Sequence, residues 1–204
     1  MYKFLAIISL LLLNSASIMA YEEPRYTLVE KNDNIEIRDY EKTYVAEVTV
    51  EGSRKVAQNK AFRILFKYIS GHNTTQTSID MTAPVAQTEN SVEIPMTVPV
   101  SQTQDDAGRW SVVFYMPNDM TEKNIPTPKD NRVKIREVEA QTLAAIRFSG
   151  RQTEKKIEKN KNKLREYLLA NGKTFSEPYI FARYDGPFKP WFLRRNEVLF
   201  QVLN

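Results

Sequence analysis

Two segments of the chain alternate apolar and polar residues with the period of a β-strand and then change to the period of a helix. The first segment, over 35–52, precedes a helix predicted over 54–70. The second segment, over 133–150, precedes a helix predicted over 153–171. The apolar positions of the first strand are Tyr44, Ala46, Val48 and Val50. Each helical pattern stops at a glycine, Gly71 or Gly172, the residue type that favours the end of a helix.

These two segments are related by a constant offset. Residues 35–52 align with residues 133–150 without a gap, 98 positions apart. The identical pairs are Ile37/Ile135, Arg38/Arg136, Glu41/Glu139, Ala46/Ala144 and Gly52/Gly150. Two copies are too few for a repeat array, which needs about three or more units for stability. The sequence therefore predicts one pseudo-symmetric domain built from a duplicated unit.

Further alternating runs predict additional strands. They cover 94–100, 110–116, 179–184 and 197–203. Pro95 and Pro99 fall inside the first of these runs and favour an edge or bulged strand, because proline donates no hydrogen bond to a sheet. The pattern as a whole predicts an α+β fold, with two helices packed on a mostly antiparallel, curved sheet or open barrel.

The first 20 residues have the features of a signal peptide. Lys3 gives a positive start, residues 4–13 are apolar except for one serine, and small residues follow up to Ala20. The apolar run is about half the length that a membrane-spanning helix needs, although an uncleaved anchor is the alternative. We therefore expect a signal peptide over 1–20, a mature domain over 21–204, export to the periplasm or medium, and no membrane contact after cleavage.

Composition excludes several kinds of chemistry. The 204 residues are 42% hydrophobic and 26% charged, which suits one globular core. The absence of cysteine excludes disulfides, thiolate metal sites and cysteine nucleophiles, and the single histidine, His72, excludes multi-histidine metal sites. The lysine-rich stretch 155–165 is typical of a solvated helix face, with a patch for anionic surfaces as the alternative. No motif for nucleic-acid binding is present, so no such partner is expected.

The first predicted helix carries more apolar surface than one sheet can cover. A stripe that would face the sheet comprises Ala57, Ala61, Ile64, Leu65 and Tyr68. A second stripe comprises Phe62, Phe66 and Ile69, flanked by Lys60, Arg63 and Lys67. A surface helix needs one apolar face of about 100°, so the second stripe requires a loop, a partner protein or an apolar ligand to cover it. A flat apolar molecule with anionic ends would suit aromatic rings beside lysines.

Several motifs resemble the signature stretches of the SOUL haem-binding protein family. They are the pentapeptide MTAPV at 81–85, PMTVPV at 95–100, KYISG at 67–71 and YDGPFKPWFLRRNEV at 184–198. The resemblance covers residues 24–203. It implies a distorted antiparallel β-barrel flanked by two helices, and non-catalytic binding of haem or another tetrapyrrole in an apolar groove. That groove would lie between the first helix and a loop near the carboxy terminus.

The resemblance also implies which residues bind the ligand. The family's apolar helix positions fall on Phe62 and Phe66, and its propionate-pairing lysines fall on Lys67 and Lys189. With Ile69 from the second apolar stripe, these residues form the predicted haem-binding site. The implied function is that of an exported carrier, buffer or scavenger of haem or a related tetrapyrrole.

Two positions depart from the family pattern. An arginine that some members use is replaced by Asn59, and an axial histidine assigned in some members is replaced by Asp39, a poor ligand for haem iron. His72, just past the first helix, is the remaining histidine candidate, and a solvated turn residue is its alternative interpretation. Met81 and Met96 offer thioethers, although methionine in strands commonly fills a core.

Two other classes of function remain open from the sequence. The SOUL fold is similar to gyrase-inhibitor-like effector-binding domains, in which an acidic residue meets a cationic guest. Glu197 is the candidate for that role, and an ion pair with Arg194 or Arg195 is the alternative. For an enzyme, the sequence shows no pairing of a nucleophile with a base and no metal-ligand spacing, so binding without catalysis is expected.

Overall fold

Nine strands, two α-helices and one short 3₁₀ helix make up the part of the chain that the computed structural model describes, namely residues 22–89, 109–186 and 188–203. The strands are β1 (Tyr26–Asn32), β2 (Ile35–Tyr40), β3 (Thr43–Glu51), β4 (Val85–Glu89), β5 (Arg109–Tyr115), β6 (Lys134–Val138), β7 (Gln141–Ser149), β8 (Thr174–Arg183) and β9 (Arg195–Leu203). The helices are α1 (Arg54–Ile69), α2 (Glu154–Ala170) and the 3₁₀ turn Trp191–Leu193. The predicted signal peptide, the strand over 94–100 and Met96 lie outside the described residues.

All strands belong to one antiparallel sheet with the order β1-β2-β7-β9-β8-β4-β5-β3-β6. The predicted α+β class, with an antiparallel sheet and two helices, is therefore confirmed. The barrel is not confirmed, because β1 and β6 lie at opposite ends of the sheet and no pairing among the described strands closes it.

The strand order contains the predicted duplication. Without β1, the strand order is β2-β7-β9-β8-β4-β5-β3-β6. The first copy contributes β2 to β5 and the second copy contributes β6 to β9. Exchanging each strand with its counterpart in the other copy (β2 with β6, β3 with β7, β4 with β8, β5 with β9) gives the same order in reverse. The register of the strands agrees with this symmetry. Tyr40 pairs with Gln141, and Thr43 pairs with Val138. The two pairs are equivalent, because Val138 and Gln141 are the counterparts of Tyr40 and Thr43 at the sequence offset of 98. A pseudo-twofold axis therefore passes between β4 and β8, and β1 is an additional strand at one end.

Each helix ends with the same turn. Gly71 and Gly172 have φ angles of +100° and +64°. Residues with a Cβ atom rarely adopt such positive φ angles, whereas glycine adopts them readily. The His72 backbone N–H donates to the Lys67 carbonyl at 3.1 Å, and the corresponding bond after α2 is 2.9 Å long. The glycine signals in the sequence therefore mark the ends of both helices, and the predicted bounds agree with α1 and α2 to within one residue.

Both helices cover the same face of the sheet. The core beneath α1 joins the helix to β3 and β5, and contains Ala46, Val48, Ala61, Leu65, Tyr68, Val112 and Phe114. The core beneath α2 joins it to β2, β7, β8 and β9, and contains Ile37, Ile146, Ile157, Leu164, Leu168, Phe181 and Phe200. The predicted inner stripe of α1 is buried as expected, except that Ile64 is half-buried.

One strand begins earlier than its pattern indicated. β8 starts at Thr174, whereas the alternating pattern predicted a start at 179. The register with β9 shifts between Ser176 and Ile180, which is a bulge. A bulge adds a residue to one strand and interrupts the alternation on which the sequence prediction depends.

Candidate ligand-binding site

Two phenylalanines lie one turn apart on the outer face of α1. The rings of Phe62 and Phe66 are stacked, with centroids 5.7 Å apart and an interplanar angle of 12°. The Phe62 ring also forms a T-shaped pair with Phe114 of β5, with ring centroids 5.4 Å apart, which holds Phe62 against the sheet. Phe62 is 36% exposed and Phe66 is 46% exposed. We call these two residues the phenylalanine pair; they present a flat aromatic surface at the edge of the α1 core.

Packing on the sheet does not require this pair. The two pseudo-symmetric helices begin at Arg54 and Glu154, an offset of 100. At this offset the buried Ala57 and Tyr68 align with the buried Ile157 and Leu168, while the half-buried Ile64 aligns with the buried Leu164. At that offset the phenylalanine pair corresponds to Asn162 and Glu166 of α2, and both of these are exposed. Because α2 covers its half of the sheet with polar residues there, packing of the helix on the sheet does not by itself account for two partly exposed aromatic rings on α1.

Ile69 does not share this outer face. It is 4% exposed and belongs to the core beneath α1, together with Ile79. The Ile79 backbone N–H donates to the Ile69 carbonyl at 2.7 Å, so the chain after the helix folds back over its last turn. The prediction of Ile69 as part of the exposed stripe is therefore wrong.

Lys60 and Lys67 of α1 are seven residues apart and therefore lie on one face of the helix, roughly 100–160° around its axis from the phenylalanine pair. Lys67 is exposed and forms no ion pair within the described ranges. Lys60 lines an open cleft of about 480 Å³ between α1 and the ends of β3 and β5. The other residues that line it are Thr49, Val50, Glu51 and Arg109. The cleft therefore includes the predicted flanking residue Lys60 but neither Lys67 nor Lys189.

Lys189 already has an acidic partner. It lies in the loop between β8 and β9, where its Nζ is 2.6 Å from Asp185 Oδ1. The other carboxylate oxygen of Asp185 accepts the backbone N–H of Arg195 at 2.5 Å. No hydrogen bond or ion pair connects Lys189 to α1 in the described structure, so the predicted pair of propionate-binding lysines is not assembled here.

The candidate iron ligands lie elsewhere. His72 follows α1 and lies near Asp130, whose pKa falls to about 2, chiefly through hydrogen bonds from Arg132 and to a smaller extent through the His72 charge. Asp39 is exposed on β2, where it accepts a hydrogen bond from Thr142 at 2.7 Å. Met81 packs against the core beneath α1. Within the described ranges, no group of three His, Cys, Asp or Glu residues could hold a metal ion.

Glu197 is fully buried on the face of the sheet away from the helices. Its Oε1 accepts from Arg38 at 3.0 Å and from Arg195 at 2.9 Å. Its Oε2 accepts from Arg38 at 2.8 Å and from the Tyr184 hydroxyl at 2.7 Å. Burial by itself would raise the pKa of Glu197, but the hydrogen bonds and charge of Arg38, together with the charge of Arg195, lower it below its ordinary value of 4.5.

This arrangement leaves the Glu197 carboxylate no unused hydrogen-bond acceptor position for a cationic ligand. A carboxylate offers about four acceptor positions, and all four are used by protein donors. The alternative interpretation, an ion pair with Arg194 or Arg195, is confirmed for Arg195, and the sequence analysis missed Arg38, which lies 159 positions away. Glu197 therefore acts as a structural anion, and the prediction that it binds a ligand is not supported.

The surroundings of Glu197 are also closed. A cavity of about 10 Å³ lies beside it, lined by Pro24, Tyr40, Pro84, Tyr115, Leu143, Ile180, Ala182, Tyr184 and Leu199. The amino-terminal residues of the described chain cover this face: the Glu22 carbonyl accepts from the Ala83 backbone at 2.9 Å, and Glu23 pairs with Arg195 at 2.8 Å. Such a volume holds no more than about one water molecule.

Comparison with known proteins agrees with this fold. The family model described as SOUL heme-binding protein matches residues 21–201. The chain belongs to the SOUL heme-binding protein family. This confirms the resemblance identified from the sequence motifs.

The SOUL family chain is similar to two curated relatives named Heme-binding protein 1. The relative from Sus scrofa is 30% identical over 146 residues, which is 70% of this chain and 69% of that protein. The relative from Xenopus laevis is 29% identical over 167 residues, 81% of this chain and 82% of that protein.

Among solved structures, the EcmrR C-terminal domain matches with a TM-score of 0.61 at 10% identity, and covers 88% of this chain and 98% of that domain. At this identity the likeness shows the shared fold alone. Neither α1 nor α2 is long and apolar enough to cross a membrane, and the same holds for every other helix of the described residues.

Proposed function

We propose that this protein binds haem or a related tetrapyrrole on the outer face of α1, without catalysing a reaction on it. The observation that carries the proposal is the stacked, exposed phenylalanine pair, whose counterpart on the pseudo-symmetric helix is polar. Family membership and the name of the curated relatives support the ligand class. The predicted signal peptide adds the proposal that the protein is exported and acts there as a carrier, buffer or scavenger.

The aromatic surface would supply most of the affinity. Burial of roughly 300 Å² of a planar apolar ligand contributes about 7 kcal/mol before the costs of association. An exposed pair between a lysine and a carboxylate contributes about 0–1 kcal/mol. Lys60 and Lys67, which share the neighbouring face of α1, would therefore orient a tetrapyrrole through its propionates rather than determine how tightly it binds.

The iron is not required for this mode of binding. His72, Asp39 and Met81 are each placed against other parts of the protein, and the aromatic rings contact a macrocycle whether or not it holds a metal. When haem is bound, it supplies a redox-active iron, and this chain's residues hold and orient its ring. We therefore expect haemin and metal-free protoporphyrin to bind with dissociation constants within about fivefold of each other, a difference of about 1 kcal/mol.

Titration of the purified protein with both ligands, followed by Soret absorbance and by porphyrin fluorescence, tests this expectation. A His72→Ala variant should give the same haemin spectrum and spin state as the wild type. Absence of a saturable change at micromolar protein would refute tetrapyrrole binding. An altered spectrum in His72→Ala, with a marked preference for haemin, would instead show that His72 ligates the iron.

The pairing of Lys189 with Asp185 gives a separate prediction. An Asp185→Asn change would release Lys189 while its amide oxygen still accepts the Arg195 backbone N–H. If Lys189 contacts a propionate, haemin should bind about two- to fivefold more tightly, which corresponds to one exposed ion pair. The control is Glu158→Gln, which breaks a surface pair with Lys161 on α2. Unchanged affinity in Asp185→Asn would remove Lys189 from the site and leave binding on the phenylalanine pair intact.

A further inference from the structure

The loop between β8 and β9 exposes four large apolar side chains. Phe188 is 99% exposed, and Trp191, Phe192 and Leu193 are each about half exposed. Trp191 and Phe192 are in edge contact, with ring centroids 5.6 Å apart, so they form one protruding group. We call residues 188–193 the aromatic loop. Soluble proteins rarely leave such a continuous apolar group in water unless it contacts a partner.

Cationic side chains surround the aromatic loop. The Arg151 guanidinium lies over the Trp191 ring, 5.3 Å from its centroid. Lys189 lies within the loop, and the Arg194 Nε donates to the Lys189 carbonyl at 2.8 Å. Asp185 is the acidic residue in this stretch and is bound to Lys189. The rim of the aromatic loop is therefore positively charged.

The base of the loop carries further positive charge. Arg183 is the last residue of β8 and lies on the same face as Phe181. The Arg54 guanidinium lies 5.4 Å from the centroid of the Phe181 ring and is paired with Glu154 at 2.7 Å. Arg183 has no acidic partner in the part of the chain that the structure describes. Burial and the charges of Arg194 and Arg54 lower the pKa of Arg183. An anionic surface next to the loop would therefore be favourable for Arg183, whereas Arg54 already has Glu154 as its counter-charge.

We propose that the aromatic loop docks on an anionic lipid bilayer. Tryptophan and phenylalanine are favoured at the boundary between lipid headgroups and acyl chains, and nearby arginine and lysine residues are attracted to acidic headgroups. A fully projecting Phe188 fits a fluid interface, which requires no shaped pocket, better than a rigid protein surface. The docking is peripheral and differs from the sequence-based expectation that the mature protein has no membrane contact.

Co-sedimentation with vesicles tests the proposal. The full-length chain is mixed with vesicles of phosphatidylcholine alone, or of phosphatidylcholine with phosphatidylglycerol. We expect binding to the mixed vesicles that weakens with salt, and a blue shift of tryptophan fluorescence that a Trp191→Phe change removes. The second tryptophan, Trp110, is buried and donates to the Gly52 carbonyl, so it should contribute little to the shift.

A Phe188→Ser/Phe192→Ser double variant should reduce partitioning into mixed vesicles by about tenfold or more, since two aromatic anchors are lost. The matched control is Leu28→Ser/Val29→Ser, which removes two exposed apolar side chains from β1 and should bind as the wild type does. All variants carry the same amino-terminal segment, so any contribution of residues 4–13 is common to them. Melting temperatures confirm that each variant is folded.

Three results would overturn the proposal. The first is equal vesicle binding by the double variant and the wild type. The second is binding that does not depend on phosphatidylglycerol. The third is loss of haemin affinity in the double variant without loss of vesicle binding, which would assign the aromatic loop to the tetrapyrrole site instead.

Discussion

Replacing Phe66 with aspartate is expected to weaken haemin binding by about fiftyfold. Phe66 is nearly half exposed in the free protein, and contact with a ligand would cover roughly 100 Å² of it and of the opposing ring, worth about 2.5 kcal/mol. The new carboxylate would also repel the ligand's propionates. The measurement is a haemin titration of wild type and variant, with circular dichroism to confirm that α1 is intact.

Two matched controls separate the aromatic contribution from general effects of charge. Leu169→Asp makes the same kind of change at an exposed apolar position on α2, and should leave haemin binding unchanged. Lys67→Ala should weaken binding no more than about fivefold, and Lys159→Ala, on α2, not at all. Equal losses in Phe66→Asp and Lys67→Ala would show that charge rather than buried aromatic area governs the site, and would contradict the proposed mode of binding.

A Glu197→Gln change is expected to lower the free energy of unfolding by about 3–5 kcal/mol. The substitution removes the buried carboxylate from both arginines, and leaves Arg38 with the partly exposed Glu36 and Arg195 with Glu23 as their remaining acidic partners. Replacement of one member of a buried ion pair is costly because the remaining charge stays away from water. Urea unfolding measures the effect, and Glu158→Gln, an exposed carboxylate, should cost less than about 1 kcal/mol.

The contribution of Glu197 should depend on pH in a defined direction. Its pKa is lowered in the folded protein, so its stabilising contribution is present above the ordinary value of 4.5 and decreases as the pH falls through the lowered value. The difference in stability between wild type and Glu197→Gln should therefore be full at neutral pH and smaller in acid. A difference below 1 kcal/mol at neutral pH would show that the two arginines do not depend on this carboxylate.

The sequence repeat predicted the fold because both copies obey the same local rules. The strands β2, β3, β6 and β7 and the glycines after α1 and α2 are determined by alternation and by backbone conformation within each copy. Alternation and helix-ending glycines depend on residues that are close together in the sequence, so the sequence alone reports them. The bulge in β8 and the open ends of the sheet depend on pairing between distant strands, which alternation alone does not report.

The exposure of the phenylalanine pair was predictable for a similar reason. Phe62 and Phe66 stand out because the helical period places them away from the buried stripe. Ile69 lies at the border between the two stripes, and its burial depends on a later segment that includes Ile79. Glu197 of β9 reaches Arg38 of β2 because the sheet places these two strands on either side of β7. No pattern along the chain connects the two positions.

The shared architecture of the two halves has a consequence for how this protein could change. α2 shows that the scaffold keeps its packing when the outward positions of a helix are polar, so those positions are uncoupled from folding. New ligand preferences could therefore arise by exchanging a few exterior residues of α1 while the rest of the architecture stays constant. The other half offers an equivalent and still unspecialised exterior, at which a second binding surface could be built by design.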